Sequence, residues 1–291
     1  MSNQKDVCAV TGATGYVGSI LLRELQRSRP VVCLQRKPET ENNIRWSFES
    51  DESVETALRE RKVKTLVHAA WDMRTSSLEK MESICVRGSE KLFAAAARAG
   101  VERIVFISSI SAFDNCRSAY GKSKLAVETM LSHGSNTIFR CGLIYGNAPG
   151  GVFGGIHKQV LHGRLLPMIG NGSVPQYLLH ESTLAESVCR AVEGEFSAAD
   201  GKPIRLAHPQ PWSFRDLVRS IAEAEQRSVF LIPLPWRLLY GGLRAAEWMG
   251  VRTPFRSDSV IGFVNYDRRP DFSLLTRLGI EPRPYEPRSN K

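Results

Sequence analysis

Short apolar, β-branched runs alternate with amphipathic helical stretches from the start of this 291-residue chain, and this alternation constrains the fold more than any other feature. Residues 7–11 predict a buried strand, 16–27 a helix and 31–34 the next strand. Strands and helices continue to alternate over residues 44–48, 54–60, 64–68, 78–99, 103–108, 118–131 and 137–140. Such an order predicts an α/β fold, a doubly wound parallel sheet with helices on both faces.

A glycine-rich turn at residues 11–18 joins the first strand to the first helix. Glycines let the chain turn tightly, and they let phosphates approach the backbone N–H groups at a helix N-terminus. With a strand before it and a helix after it, this G-x-x-G-x-x-G spacing predicts a Rossmann-like sheet that binds a dinucleotide. The predicted phosphate-binding residues are Gly12, Thr14, Gly15, Tyr16, Val17 and Gly18.

The residues after the second strand indicate which dinucleotide binds. An acidic residue here would accept hydrogen bonds from the adenosine 2′-hydroxyl and repel a 2′-phosphate. This chain has Gln35 followed by Arg36 and Lys37, so we expect NADP(H) to be preferred, with Arg36 on the 2′-phosphate, and NAD(H) as the second possibility. Asp51 is a candidate for contacts to the adenine, a role for which neighbouring glutamates compete.

The net charge of +9 comes from Lys and Arg residues that are scattered along the chain rather than gathered in one run. We therefore expect a solvated basic surface and no nucleic-acid partner. The N-terminus has no apolar stretch of the secretory type, and no segment is apolar and long enough to span a membrane. These features predict a cytoplasmic protein without an integral membrane segment.

The cysteines show no C-x-x-C pair, and their spacing fits neither a disulfide framework nor a zinc site. We expect reduced, mostly buried thiols and no bound metal. The six residues are Cys8, Cys33, Cys85, Cys116, Cys141 and Cys189.

Tyr120 and Lys124 lie four residues apart near the start of the predicted helix 118–131, so they share one face, one turn apart. A tyrosine normally titrates near pH ~10, and a cation one turn away lowers its pKa towards the range useful for proton transfer. Ser109 stands at the end of the preceding strand, where its hydroxyl would hold a reacting carbonyl oxygen. Together they predict a catalytic site with Tyr120 as the acid/base.

The pattern changes after Tyr145, where residues 146–155 are rich in glycine. We expect residues 1–146 to form an NAD(P)-binding domain, with some later segments returning to it, and residues 147–291 to form mainly a smaller C-terminal substrate lobe. Ligands of doubly wound sheets bind outside the carboxyl ends of the strands. The lobe would therefore close a cleft over a small-molecule substrate. Four prolines after Tyr266 predict an irregular end.

These motifs resemble the short-chain dehydrogenase/reductase superfamily, and more closely its extended branch, the NAD(P)-dependent epimerase/dehydratase family. Segments 68–70, 140–146 and 166–172 extend the resemblance, which is close over residues 1–146 and looser afterwards. It implies that Lys124 reaches the nicotinamide ribose hydroxyls, and that a homodimer forms through two helices of the dinucleotide-binding domain. It also implies a cofactor-lining role for Ala69, Ala70 and the backbone of Cys141, Gly142 and Leu143.

The chain departs from nucleotide-sugar members of that family at several positions. Two asparagines common in those members are Leu143 and Cys85 here, and a common aspartate is Thr183. Sugar 4,6-dehydratases carry an Asp-Glu pair directly after the catalytic hydroxyl residue, since elimination of water needs a second acid and base. Ile and Ser occupy residues 110–111 of this chain, so elimination is disfavoured.

Three functions remain open from the sequence. The first is reversible hydride transfer between NADP(H) and a carbonyl or alcohol, with a keto-sugar nucleotide as the favoured substrate. The second is a nucleotide-sugar 4-epimerase that retains NAD, against which Arg36 counts. The third is a non-catalytic dinucleotide-binding subunit, and the joint presence of Ser109, Tyr120 and Lys124 argues against it.

Several other residues receive no defined role from the sequence. Trp71 and Asp72 follow the fourth strand, near the expected meeting point of nicotinamide and substrate. His157 and His162 are candidates for additional acids in the cleft, with ordinary surface histidines as the alternative. Residues 236–248 predict an amphipathic helix that packs on the cleft or on a partner, with a membrane surface as the lesser alternative.

Overall fold

The structure, a computed structural model, describes residues 5–38, 40–41, 43–50, 53–74, 77–132, 134–147, 150–251, 253 and 255–287. The first half contains β1 (Val7–Thr11), α1 (Tyr16–Leu25), β2 (Val31–Gln35), β3 (Ile44–Arg45), α2 (Val54–Glu60), β4 (Val63–His68), α3 (Leu78–Met81), a π-helical turn (Glu82–Val86), α4 (Arg87–Arg98), β5 (Arg103–Ser109), α5 (Ala119–Thr129) and β6 (Thr137–Cys141). The predicted helix 78–99 is thus present, with a π-helical turn inside it.

The second half contains shorter strands and more helices. Its elements are β7 (Leu143–Tyr145), α6 (Gly151–His162), β8 (Leu165–Ile169), β9 (Pro175–Gln176), β10 (Leu178–His180), α7 (Glu181–Val192), a 3-10 turn (Ser197–Ala199), β11 (Ile204–Leu206), β12 (Trp212–Ser213), α8 (Phe214–Ala224), β13 (Phe230–Leu234), α9 (Trp236–Trp248), α10 (Ser257–Val264) and α11 (Ser273–Arg277). The helix α11 lies in the C-terminal stretch that the prolines predict to be irregular, because Leu275 is buried against the main core.

A seven-stranded sheet has the order β3-β2-β1-β4-β5-β6-β11, and every pair of neighbours is parallel. This confirms the predicted α/β, Rossmann-like fold. The edge strand β11 comes from residues 204–206, so a segment beyond residue 146 returns to the sheet. The boundary at residue 146 stays a prediction.

The central strand β1 has no alternation of polar and apolar residues because both faces of the sheet are covered. Cys8 and Val10 pack into one core cluster, whereas Ala9 packs into the cluster on the opposite face. The helices α1 and α7 contribute Leu21 and Leu184 to the first of these clusters. All six cysteines are free, and five are buried, as the sequence predicts.

The second lobe has its own core between α6 and α8. Phe153 and Ile156 of α6 pack with Leu217 and Ile221 of α8. A two-stranded parallel ribbon, formed by β8 and β13, flanks this core. None of the helices in the described ranges has the length and apolar character needed to cross a membrane.

A buried ion pair fastens α5 to the sheet. Glu128 on α5 and Arg140 on β6 form hydrogen bonds of 2.6 to 3.1 Å, and their side chains are 5% and 10% exposed. The Ser108 hydroxyl on β5 donates a further hydrogen bond to Glu128. Since Tyr120 and Lys124 belong to the same helix, this contact sets the height and rotation of both side chains relative to the strand ends.

We expect Glu128→Ala to lower the free energy of unfolding by about 3–5 kcal/mol, because Arg140 would be left as a buried, unpaired charge. A matched control is Glu102→Ala, which removes a carboxylate that is 62% exposed and paired with Lys64. That variant should change stability little, because an exposed ion pair is well solvated with or without its partner. Urea unfolding of both variants measures the difference, and equal losses would contradict this role of the buried pair.

Candidate active site

The glycine turn between β1 and α1 is too crowded for side chains. Gly12 has a φ of +72°, and a Cβ there would lie 2.7 Å from the backbone nitrogen of Ala70. A Cβ on Gly18 would overlap the Gly12 carbonyl oxygen. The turn therefore requires glycine at these positions to bring the ends of β1 and β4 together.

The N-terminus of α1 is arranged to receive an anion. Gly15 is the capping residue, and no side chain in the described part of the chain caps this end of the helix. Thr14 and Gly15 are exposed, while Tyr16 and Val17 are partly buried in the first turn. The first backbone N–H groups of a helix lack partners within it, so this end fits a pyrophosphate. Tyr16 packs its ring against Gly150 of the second lobe.

A chain of buried hydrogen bonds holds the end of β4 against this turn. The Thr11 hydroxyl accepts the backbone N–H groups of Ala69 and Ala70, both at 3.1 Å. It therefore donates its single proton to Nδ1 of His68, at 2.9 Å. Nε2 of His68 then carries a proton and donates it to the Ser89 hydroxyl, also at 2.9 Å.

His68 is consequently a neutral structural residue. Its ring is fully buried, and burial lowers its pKa to about 3, with a smaller contribution from the Lys124 charge. Ala69 and Ala70 are partly exposed beside it, but their N–H groups point to Thr11. The two alanines can thus touch a ligand through van der Waals contact, whereas their N–H groups donate to Thr11 and not to the ligand.

The neutral state of His68 makes stability depend on pH. Between pH 6.5, the ordinary pKa of histidine, and pH 3, the unfolded chain binds a proton at His68 that the folded chain does not. The neutral, buried His68 therefore contributes fully to the free energy of unfolding above pH 6.5. This contribution is lost as the pH falls towards 3, by about 1.4 kcal/mol per pH unit.

We expect His68→Gln to remove this part of the pH dependence while lowering stability at pH 7. Urea unfolding at several pH values measures the slope, and His162→Gln, which changes an exposed histidine, is the control. If the wild type and His68→Gln lose stability equally on acidification, the histidine is not buried in the neutral form.

Arg36 lies at the end of β2, where its side chain is exposed. Its positive charge is close enough to lower the pKa of Asp72, whose main partner is Arg74. The guanidinium of Arg74 binds the Asp72 carboxylate at 2.5 to 3.0 Å. Asp51, the candidate for adenine contacts, lies outside the described residues.

Tyr120 and Ser109 come together at the carboxyl end of β5. Burial raises the pKa of the Tyr120 phenol above its ordinary value, and the nearby Ser109 side chain lowers it by a smaller amount. The sequence predicts a lowered pKa because of Lys124, and the structure differs because the phenol is poorly solvated. Tyr120 is therefore protonated at neutral pH.

Lys124 is buried below the phenol. Its Nζ donates to the Ile107 carbonyl at 2.7 Å and lies 3.8 Å from the ring centre of Trp71. The ring centres of Phe106 and Tyr120 are 4.7 and 5.8 Å from it. Burial in this aromatic surrounding lowers the pKa of Lys124 to about 7, so its charge changes close to neutral pH.

The second lobe holds the N-terminus of α5. The Asp258 carboxylate on α10 accepts the backbone N–H groups of Ala119 and Tyr120, at 2.7 and 3.0 Å. The Ser118 hydroxyl caps the same helix end by accepting from Gly121 at 3.1 Å. Sequence reasoning missed Asp258, and no local signal identifies it because it lies 138 residues from Tyr120.

The backbone of residues 141–143, at the end of β6, is hydrogen-bonded to other segments of the chain. The N–H of Gly142 donates to Leu206 at 3.0 Å, and the N–H of Leu143 donates to Tyr177 at 2.8 Å. The Cys141 carbonyl accepts from Ile110 at 3.0 Å. These two N–H groups and this carbonyl are paired within the protein, so they contribute to a cofactor-lining role through van der Waals contact.

The two candidate histidines of α6 have contacts within the second lobe. Nε2 of His157 lies 2.9 Å from the Glu225 carboxylate, next to α8, and links the two helices of the lobe core. His162 is exposed, and its ring bonds the Lys158 carbonyl one turn earlier. These contacts favour structural roles for both. Among the described residues, no group of three or more metal-binding side chains occurs.

Comparison with known proteins agrees with this geometry. The model of the NAD dependent epimerase/dehydratase family matches residues 8–206 of the chain. This range includes the glycine turn, Ser109, Tyr120 and Lys124, together with β11. Comparison with curated protein sequences gives no significant match.

Solved structures with the same fold include several enzymes. UDP-glucose 4-epimerase from Thermotoga maritima, with UDP-glucose, is 17% identical with a TM-score of 0.73, covering 95% of this chain and 94% of that chain. UDP-N-acetylglucosamine 4-epimerase from Bacillus cereus is 18% identical with a TM-score of 0.65, covering 90% and 98%. A short-chain dehydrogenase/reductase superfamily protein from Agrobacterium tumefaciens, with bound NAD, is 19% identical with a TM-score of 0.64, covering 88% and 94%. At these identities the similarity shows a shared fold.

Proposed function

Because the chain belongs to the NAD-dependent epimerase/dehydratase family, we propose that it transfers a hydride reversibly between NADP(H) and a carbonyl or alcohol, with a keto-sugar nucleotide as the substrate. The observation that carries this proposal is the position of Ser109 beside Tyr120 at the carboxyl end of β5, close enough for the serine side chain to lower the pKa of the phenol. A subunit that only binds a dinucleotide has no need for paired hydroxyls at this position.

The protonated phenol suits the direction of reduction. Burial keeps the proton on Tyr120 at neutral pH, so the side chain can donate it to a carbonyl oxygen as that oxygen gains negative charge. The Ser109 hydroxyl would hold the same oxygen in reach. Lys124, one helical turn away, would stabilise the phenolate that remains after the transfer, since its Nζ lies 5.8 Å from the phenol ring centre.

The residues that would hold the cofactor are compatible with a dinucleotide. The uncapped N-terminus of α1 and the crowding at Gly12 and Gly18 leave a bare backbone edge for a pyrophosphate. Arg36 is exposed at the end of β2, and Gln35 beside it carries no charge to repel a 2′-phosphate. When bound, NADP(H) supplies or takes up the hydride.

We expect Tyr120→Phe to lower kcat for reduction of a keto-sugar nucleotide by about 10²- to 10⁴-fold, because the proton donor is removed. NADPH binding should change little, since the phenol lies at the end of β5 and the phosphates bind at α1. Both quantities are measured by NADPH oxidation and by equilibrium titration, with Tyr266→Phe as a control for loss of a phenol elsewhere. Unchanged kcat in Tyr120→Phe would refute the assigned acid.

We expect NADPH to bind at least about tenfold more tightly than NADH, a difference of roughly 1.4 kcal/mol, and Arg36→Ala to remove that margin. The physical reason is the charge-assisted hydrogen bond from the guanidinium to the 2′-phosphate. Arg277→Ala, which removes an exposed charge on α11, should keep the preference. Equal binding of the two cofactors by the wild type would exclude the proposed role of Arg36.

A second candidate is a nucleotide-sugar 4-epimerase that retains NAD. The fold shared with the two UDP-sugar 4-epimerases described above favours it. An epimerase of this kind never releases its cofactor, so it would purify with NAD bound and consume no NADPH. The cofactor content of the purified protein, measured after denaturation, separates this candidate from the reductase.

A further inference from the structure

The exposed apolar side chains of this protein are concentrated in one part of the second lobe. Most of the large hydrophobic residues that are exposed in the described ranges belong to the ribbon β8–β13, to α9 or to the turn after α9. They are Leu165, Phe230, Ile232, Trp236, Leu238, Trp248, Met249 and Val251. We call this set the apolar face.

The helix α9 presents apolar residues to solvent rather than to the core. Leu238 and Trp248 are 70% and 90% exposed, and none of the residues of α9 is buried. Residues 238, 241, 242, 245 and 248 are spaced so that they form one stripe along the helix, and all five are exposed. The stripe consists of Leu, Gly, Gly, Ala and Trp, so it has no charged or hydrogen-bonding group except the indole N–H.

The ribbon formed by β8 and β13 also exposes apolar side chains to solvent. Leu165 and Phe230 are register partners in β8 and β13, and they are 63% and 66% exposed. Pro167 and Ile232 are the next exposed pair on the same side of the ribbon. Pro235 connects β13 directly to α9, so the exposed apolar residues form one continuous region of the chain.

The charges beside the apolar face are almost all positive. Arg237 and Arg244 are exposed on one flank of α9, seven residues apart and therefore on the same side. Arg164 precedes β8, and Arg227 precedes β13, both exposed. The acidic residue within residues 227–251 is Glu247, whose side chain is 9% exposed. Its carboxylate bonds Ser257 and lies 3.7 Å from the Arg244 guanidinium, so Arg164, Arg227 and Arg237 supply most of the positive charge.

We propose that the apolar face docks on an anionic phospholipid bilayer, with α9 lying in the plane of the interface. An amphipathic surface helix binds a bilayer by burying its apolar side at the level of the acyl boundary, and basic residues beside it attract anionic headgroups. Trp248 at the C-terminal end of α9 belongs to the stripe and is suited to this depth, because an indole combines an apolar body with one polar N–H. The net charge of +9 adds a general attraction to the same surface.

A second copy of this chain fits the apolar face less well. A twofold contact through α9 would oppose Arg237 and Arg244 to the same arginines of the other copy, with Glu247 already engaged inside its own chain. Like charges brought together at an interface disfavour association. An anionic bilayer can bury the apolar stripe at its acyl boundary, and its negative headgroups attract the arginines.

Docking would place the active site next to the bilayer. Tyr240 on the inner side of α9 and Arg244 on its flank line a pocket together with Ala119 and Lys122 at the start of α5. The residue after Ala119 is Tyr120. The helix that carries the proposed surface and the catalytic helix thus line one pocket, although the proposal does not depend on the reaction catalysed.

The test is co-sedimentation of the full chain with vesicles of phosphatidylcholine alone and of phosphatidylcholine with phosphatidylglycerol. We expect binding to the anionic vesicles that is at least about tenfold tighter than to the neutral ones and that weakens as salt is raised. The variants Leu238→Glu and Trp248→Glu should each reduce binding at least about tenfold. Met130→Glu, which adds the same charge at an exposed apolar residue of another region, should bind like the wild type.

Circular dichroism and NADPH titration confirm that each variant is folded. The fluorescence of Trp248 should shift to shorter wavelength with anionic vesicles, and Trp248→Phe should abolish most of that shift. Three outcomes overturn the proposal: no binding to anionic vesicles at low salt, equal loss of binding in Met130→Glu, or a stable dimer in sedimentation velocity that Leu238→Glu dissociates.

Discussion

The contact between the ends of β1 and β4 is the constraint on which the rest of the site depends. The Thr11 hydroxyl holds two backbone N–H groups and the His68 ring at once, and Gly12 turns away within van der Waals distance of Ala70. Any side chain at Gly12 would separate the two strands. Because α1 begins directly after this turn, the position of its free N-terminus follows from the packing of the two strand ends.

The catalytic helix α5 is fixed independently at its two ends. Glu128 ties its last turns to β5 and β6, whereas Asp258 from the second lobe binds its first N–H groups. The side chains of Tyr120 and Lys124 lie between these two attachments. The position of the helix therefore depends on β5 and β6 at one end and on α10 at the other.

Burial changes the acid–base properties of the pair in opposite directions. It raises the pKa of the Tyr120 phenol and lowers that of the Lys124 ammonium to about 7, because both charged forms lose solvation. The spacing of four residues correctly placed them on one helix face. It did not predict the direction of the phenol's pKa, because burial of the phenol depends on parts of the chain outside α5.

The sequence by itself determined the parallel sheet, the glycine turn and the shared face of Tyr120 and Lys124. These follow from local spacing, either the period of a strand or helix or the steric demands of a turn. Tertiary structure alone decided the hydrogen-bond partner of His68, the capping of α5 by Asp258 and the outward direction of the apolar stripe on α9. Those properties depend on residues far apart in the chain, and periodicity shows that a helix has an apolar side without showing whether protein or solvent covers it.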